Sequence, residues 1–164
     1  MIRGTWVLLA FLPVCCGAQY WAKDFGGLGG DAINDVKVGP DGFIYAIGEF
    51  SSSMEVDGTS YSSAGGTDVF VVKMDDAGNV LWLVQAGGSA IDRGGKVAVD
   101  GQGNLAVTGQ FMGTADLFGT TLQSAGSTFD FFVARLNTSD GSAQWVRTGG
   151  GPVNADKANG VSLS

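Results

Sequence analysis

The first residues to consider are Gly26-Gly27-Leu28-Gly29-Gly30-Asp31-Ala32-Ile33, which fit the G-G-x-G-x-D-x-U nonapeptide of calcium-binding turns. In that arrangement each ion is shared between turns stacked nine residues apart, and no adjacent copy follows here. The matching stretch further on, Gly87-Gly88-Ser89-Ala90-Ile91-Asp92-Arg93-Gly94, loses the third glycine and sets a cation beside the aspartate. Both stretches read as turns in which Asp31 and Asp92 accept backbone N–H groups, with no metal assigned. Glycoside chemistry needs two carboxylates flanking a sugar bond, for which Glu49 and Glu55 are the acids to weigh. Gly101-Gln102-Gly103-Asn104-Leu105-Ala106 mimics a dinucleotide fingerprint. That mechanism requires a helix after the glycines, whereas Val107-Thr108-Gly109 is strand-like.

Nucleophilic catalysis is poorly provided for. The chain has no histidine, and its 2 cysteines, Cys15 and Cys16, fall in an N-terminal segment with the grammar of a signal peptide. Arg3 supplies the positive region, Trp6 to Cys16 the apolar run, and Cys16-Gly17-Ala18 the small-x-small cleavage site before Gln19. The run is too short to cross a bilayer. We expect residues 1–18 to be removed and residues 19–164 to be secreted or displayed at a cell surface without disulfides. Val14 stands where a small residue normally precedes a lipid-modified cysteine, which argues against tethering through Cys15. With 9 Lys+Arg against 16 Asp+Glu, net charge −7, no nucleic-acid partner is expected.

An internal repeat organises the rest. Trp21, Trp82 and Trp145 recur at intervals of 61 and 63 residues, and the agreement extends past tryptophan. Gly26-Gly27 matches Gly87-Gly88, Asp31 matches Asp92, and Gly42 to Phe50 matches Gly103 to Phe111, pairing Gly48 with Gly109. Asp68 to Met74 matches Asp130 to Leu136, and a third unit opens at Trp145 with Gly149-Gly150 and Asp156. Residues that recur in this way (Trp21, Trp82, Trp145, Asp31, Asp92, Gly48, Gly109, Asp68 and Asp130) read as structural. Catalysis or recognition is sought where the match fails: Glu49 opposite Gln110, Lys37 opposite Ala98, and Arg93 opposite Ala32.

Each unit holds four short apolar runs bounded by Gly, Asp, Asn or Ser, the pattern of four antiparallel strands. In the first unit they lie near Ile33 to Val38, Phe43 to Phe50, Asp68 to Met74 and Asn79 to Gln85. Asp41-Gly42 and Ala77-Gly78-Asn79 provide the positive-φ turns, and a strand around Trp21 to Phe25 precedes the unit. Ser51 to Thr67 and Gly113 to Phe129 read as irregular, Ser/Gly-rich loops, the places to look for a ligand. Tandem four-stranded units predict an all-β fold of β-propeller blades: two complete blades and the start of a third. Since a blade buries its faces only against neighbours, the chain is expected to be a fragment of a longer protein, a truncated gene product or a partial propeller completed by self-association, and alone to fold poorly.

The run Trp21-(x)4-Gly26-Gly27-(x)3-Asp31, then Asp41 to Gly48, Gly65-(x)2-Asp68 to Asp75, and Gly78-(x)3-Trp82 resembles the SBBP beta-propeller repeat. That family occurs in secreted and cell-surface bacterial proteins and has no shared catalytic residue set. The resemblance implies fold and location, with no cofactor. Asp75-(x)2-Gly78-(x)3-Trp82 and Asn137-(x)3-Gly141-(x)3-Trp145 are similar to the docking motif of quinoprotein propellers, in which tryptophan stacks on the neighbouring blade. The functional expectation is a non-catalytic scaffold or recognition surface for protein or glycan; the alternative is a piece of a propeller-fold glycoside-acting enzyme.

Overall fold

The computed structural model describes residues 21–163. The expected signal segment, with Cys15 and Cys16, lies outside the described residues. The fold is all-β, with β1 (Gly26–Leu28), β2 (Asp31–Val38), β3 (Ile44–Val56), β4 (Thr59–Met74), β5 (Val80–Gly88), β6 (Arg93–Val99), β7 (Asn104–Phe111), β8 (Thr114–Leu117), β9 (Thr120–Gln123), β10 (Asp130–Asn137) and β11 (Ala143–Gly149). Strands β2, β3, β4 and β5 form one antiparallel meander; β6, β7, β10 and β11 form a second with the same order. The described residues do not close into a ring.

Alternation along the strands gives each meander two apolar faces. Tyr45, Ile47, Val69 and Val71 of the first meander share a core with Leu105, Val107, Phe132, Ala134 and Leu136 of the second. The opposite face of the first meander carries Ala46, Phe50, Phe70, Val72 and Met74, with Phe25 stacked on Phe70 at 5.8 Å. By the repeat, those residues are equivalent to Val107, Phe111, Phe132, Ala134 and Leu136. One face of a unit therefore packs on the opposite face of the next, a relation that two-sided apolar sheets require. Along β2, Ile33, Val36 and Val38 remain exposed.

Three expectations need correction. The stretches Ser51 to Thr67 and Gly113 to Phe129 are largely hairpin, not loop: β3 runs on to Val56 and returns through β4, while β8 and β9 form the counterpart. Their turns are Asp57-Gly58 (φ 50° and 76°) and Phe118-Gly119 (φ 54° and 86°), the left-handed pairs that match the twist of a two-residue hairpin. Residues 21–25 form no strand; pairing begins at β1, which joins the first hairpin at Gly27↔Met54. The end of β5 joins the second hairpin in the same way, at Gly88↔Ala115, and thereby ties the two units together. Finally, among the described residues no opening strand of a third unit is formed. After β11 the chain runs on without strand, held by Asp156 N–H donating to the Phe129 carbonyl at 2.7 Å.

Candidate functional site

Several of the repeated residues make recurring contacts. Gly27 N–H donates to Asp31 (3.0 Å), Gly88 N–H to Asp92 (2.7 Å) and Gly151 N–H to Asp156 (2.9 Å), so each aspartate closes the turn that follows β1, β5 and β11 in order. The stretch that fits the calcium nonapeptide is this turn. Asp68 accepts from Ala64 N–H (3.0 Å) and Gln85 Nε2 (2.7 Å), and its counterpart Asp130 accepts from Ala125 N–H (3.0 Å). The buried Asp68 and Asp92 carboxylates meet beside Gly87. A Cβ there would lie 2.7 Å from Asp68 Oδ1 and 3.0 Å from Asp92 Oδ2. Burial first, and then the charge of Asp68, push the Asp92 carboxyl up to about 6, against the N–H groups of Gly88 and Met112 that favour its ionised form.

Trp21 and Trp82 reach from one unit to the turn of the next. Trp21 Nε1 donates to the Asp76 carbonyl (2.8 Å), and its ring covers Gly78; Trp82 Nε1 donates to the Thr138 carbonyl (3.1 Å), and its ring covers Gly141. Both glycines are left-handed (φ 84° and 75°) and lie against the indole, so a side chain is excluded twice over. Buried Lys73 also donates to the Thr138 carbonyl (3.0 Å), with its ammonium 4.0 Å from the centre of the Phe43 ring. Trp145 is 38% exposed at the far side of the second meander. Gly48 and Gly109 sit in the central strands β3 and β7, where Phe70 and Phe132 cross them at ring-to-backbone contact. Gly101 to Ala106 form the β6–β7 turn and the start of β7, where Asp100 accepts from Gln102 N–H (2.8 Å) and Asn104 N–H (2.9 Å). The Asn104 side chain, and after it these backbone donors, hold the Asp100 carboxyl below its usual range.

A polar cleft of about 400 Å³ opens where the repeat match breaks. Its walls are Asn34 of β2, Glu49 of β3, Arg93 and Lys96 of β6, Gln110 of β7, and Lys157 of the C-terminal stretch, over the glycine backbone of residues 94, 95 and 109. Two contacts join the first strands of the units: Asn34 Nδ2 donates to the Gly94 carbonyl in the cleft (2.8 Å), and Val97 N–H donates to Asp35 (3.1 Å). Gln110 Nε2 anchors the C-terminal stretch through the Asp156 carbonyl (3.0 Å). Asn34 Nδ2 also reaches Glu49 at 3.3 Å, and the Phe129 ring backs the Arg93 guanidinium at 5.2 Å.

Of the symmetry-breaking residues, Glu49 and Arg93 come together in this cleft, whereas Lys37 lies apart and pairs with Asp35 at 3.7 Å. Sequence reasoning missed Asn34, Lys96 and Lys157, and named Gln110 only as the counterpart of Glu49. The signal for Lys96 was present, since it stands opposite Asp35 in the repeat, and Lys157 follows Asp156 as Arg93 follows Asp92. Glu55 lies six residues along β3 from Glu49, roughly 20 Å at strand rise, far beyond the separation of a glycosidase pair. Among the described residues Glu49 is the single acid lining the cleft. A second, apolar groove of about 200 Å³ runs over the outer face of the first meander between Trp21, Phe25, Ile33 and Val36. No helix of the described residues is long and apolar enough to cross a membrane. No protein-family model and no curated protein matches the chain, so its site is read from its own chemistry.

Proposed function

We propose that this chain belongs to a secreted or cell-surface, non-catalytic propeller-repeat protein of the SBBP kind, whose stacked units frame a recognition surface for glycan or protein. The observation that carries the reading is the equivalence of the stacking faces. The face built on Phe132 packs on Tyr45 and Ile47, and the equivalent face built on Phe70 lies on the outside of the first meander with an apolar groove across it. The same packing rule extends to further units, supplied by more chain or by a second copy, and makes each meander a blade. In such an arrangement the first strands β2 and β6 line the axis, which sets the polar cleft at the centre of the recognition surface.

Glu49 in the cleft is the observation that favours a glycoside-acting enzyme, and its want of a partner acid in the lining weighs against it. Glycan-array binding and turnover of aryl glycosides, measured on the wild type and Glu49→Gln, separate the two. Glycan binding by the wild type, with turnover by neither protein, is expected. Turnover by the wild type that Glu49→Gln abolishes would overturn the proposal.

A further inference from the structure

We infer that the cleft between β2, β6 and the C-terminal stretch binds short anionic saccharides, with Arg93, Lys96 and Lys157 as the charge-reading residues. The inference rests on the recognition reading above and names its ligand class. The chain has 9 Lys+Arg and 16 Asp+Glu, yet the cleft gathers three of the cations and one of the acids. Among the described residues the ion pairs are Lys23–Asp57, Lys37–Asp35 and Lys73–Asp41, so none of the three cleft cations is directly paired with a carboxylate. Concentrating unpaired positive charge in one concavity of an otherwise acidic surface gives a local attraction for an anion and a long-range repulsion of a polyanion. That combination suits a ligand of one or two charges and disfavours nucleic acid.

The remaining lining says what else the ligand carries. Apart from Ala158 and the glycines, every lining side chain is polar, so no pocket exists for an apolar peptide anchor. Asn34, Gln110 and Glu49 offer directed donors and acceptors to hydroxyl groups. The Glu49 charge works against a compact ion such as phosphate and in favour of a ligand whose hydroxyl can donate to it. Arg93 is backed by the Phe129 ring, which leaves the in-plane N–H edge of the guanidinium for bidentate pairing with a carboxylate or sulfate. The volume of about 400 Å³ lies within the range of small-ligand pockets. A uronic acid and a sulfated sugar present the same chemistry: an anionic group on a polyhydroxylated ring.

The test is calorimetric titration of the full chain with digalacturonate, its dimethyl ester and a disulfated disaccharide. The expected result is binding of one or both charged sugars at least tenfold tighter than of the ester, weakened roughly tenfold between about 20 and 300 mM salt. The double variant Arg93→Gln/Lys157→Gln loses at least tenfold in affinity, Lys96→Gln loses severalfold, and Lys37→Gln, outside the cleft, loses nothing. Unchanged far-ultraviolet circular dichroism confirms that each variant folds as the wild type does. Equal affinity for the ester overturns the inference and leaves the recognition reading standing. Charged-sugar binding that ignores Arg93, Lys96 and Lys157 overturns the site. Binding of no saccharide, charged or neutral, overturns the inference together with its glycan-recognition basis.

Discussion

Gly109 is the most exacting backbone position of the second meander, and replacing it with alanine tests the packing argument directly. A Cβ at Gly109 would lie 2.2 Å from the Arg93 carbonyl oxygen and 2.4 Å from Cε1 of Phe132, where ordinary contact begins at 3.4 Å. Either β6 moves away from β7 by about 1 Å or the Phe132 ring leaves its place in the core. Moving the strand strains the Gly94↔Gly109 pairing, at about 1 kcal/mol for each hydrogen bond lost. Displacing the ring is overpacking, which costs about 1–3 kcal/mol. We expect Gly109→Ala to destabilise the fold by about 3 kcal/mol, read as a lower urea midpoint followed by tryptophan fluorescence. Phe132→Leu removes the ring atoms but leaves the carbonyl contact, so in that background Gly109→Ala costs about 1 kcal/mol less. Gly30→Ala, whose nearest neighbour is Ser51 Oγ at 3.8 Å, is the control and shifts stability by less than about 0.5 kcal/mol. A Gly109→Ala cost below about 0.5 kcal/mol, or one indifferent to Phe132, refutes the reasoning.

Trp82→Phe removes the Nε1 donation to Thr138 and part of the cover over Gly141; a loss of about 1–2 kcal/mol in urea unfolding is expected, with a smaller one for Trp21→Phe because Trp21 is 38% exposed. Asp92 takes up its proton more readily folded, near pH 6, than unfolded, near 3.8, so its burial lowers stability as pH rises through that window, by up to about 3 kcal/mol above pH 6. The stability difference between the wild type and Asp92→Asn, measured at pH 4.5 and 7.5, therefore shifts against the wild type at the higher pH, and a difference independent of pH would contradict this origin.

The repeat was legible because the same contacts recur at one spacing. Trp82 over Gly141 reproduces Trp21 over Gly78, and Phe132 against Gly109 reproduces Phe70 against Gly48. A residue type that one contact demands is demanded again a unit later, which no composition bias imitates. The hairpins at Asp57-Gly58 and Phe118-Gly119 were obscured by the same Ser and Gly content that marks irregular chain. The alternation of Met54 and Val56, both buried, beside an Asp-Gly pair was the local signal for the first. The second carries Phe118 where Asn or Asp is usual, and its left-handed φ of 54° is bought by edge-on packing of the ring against Phe132 at 6.1 Å. That compensation depends on a residue distant in sequence, so a local reading could not find it.

The cleft was legible only in part, for a reason that bears on how it works. Departures from a repeat mark places where the common structural duty has been released, and Arg93 opposite Ala32 is such a place. A departure gains functional meaning when others converge on it in space, and that depends on which strands face one another. Lys37 departs from the repeat as plainly as Arg93, yet its ammonium pairs with Asp35 at 3.7 Å outside the cleft. Lys96 and Lys157 come from strand β6 and from chain without strand, more than sixty residues apart, and are brought to one concavity by the stacking of units and by the Gln110–Asp156 anchor. The cleft's charge is thus a property of the packed units, and the aspartates that close the turns are what hold Arg93 and Lys157 in place: Asp92 and Asp156 each bind a backbone N–H and immediately precede a cleft cation. The recurring spacing of structure within the repeat is the scaffold on which its unrepeated charges are presented.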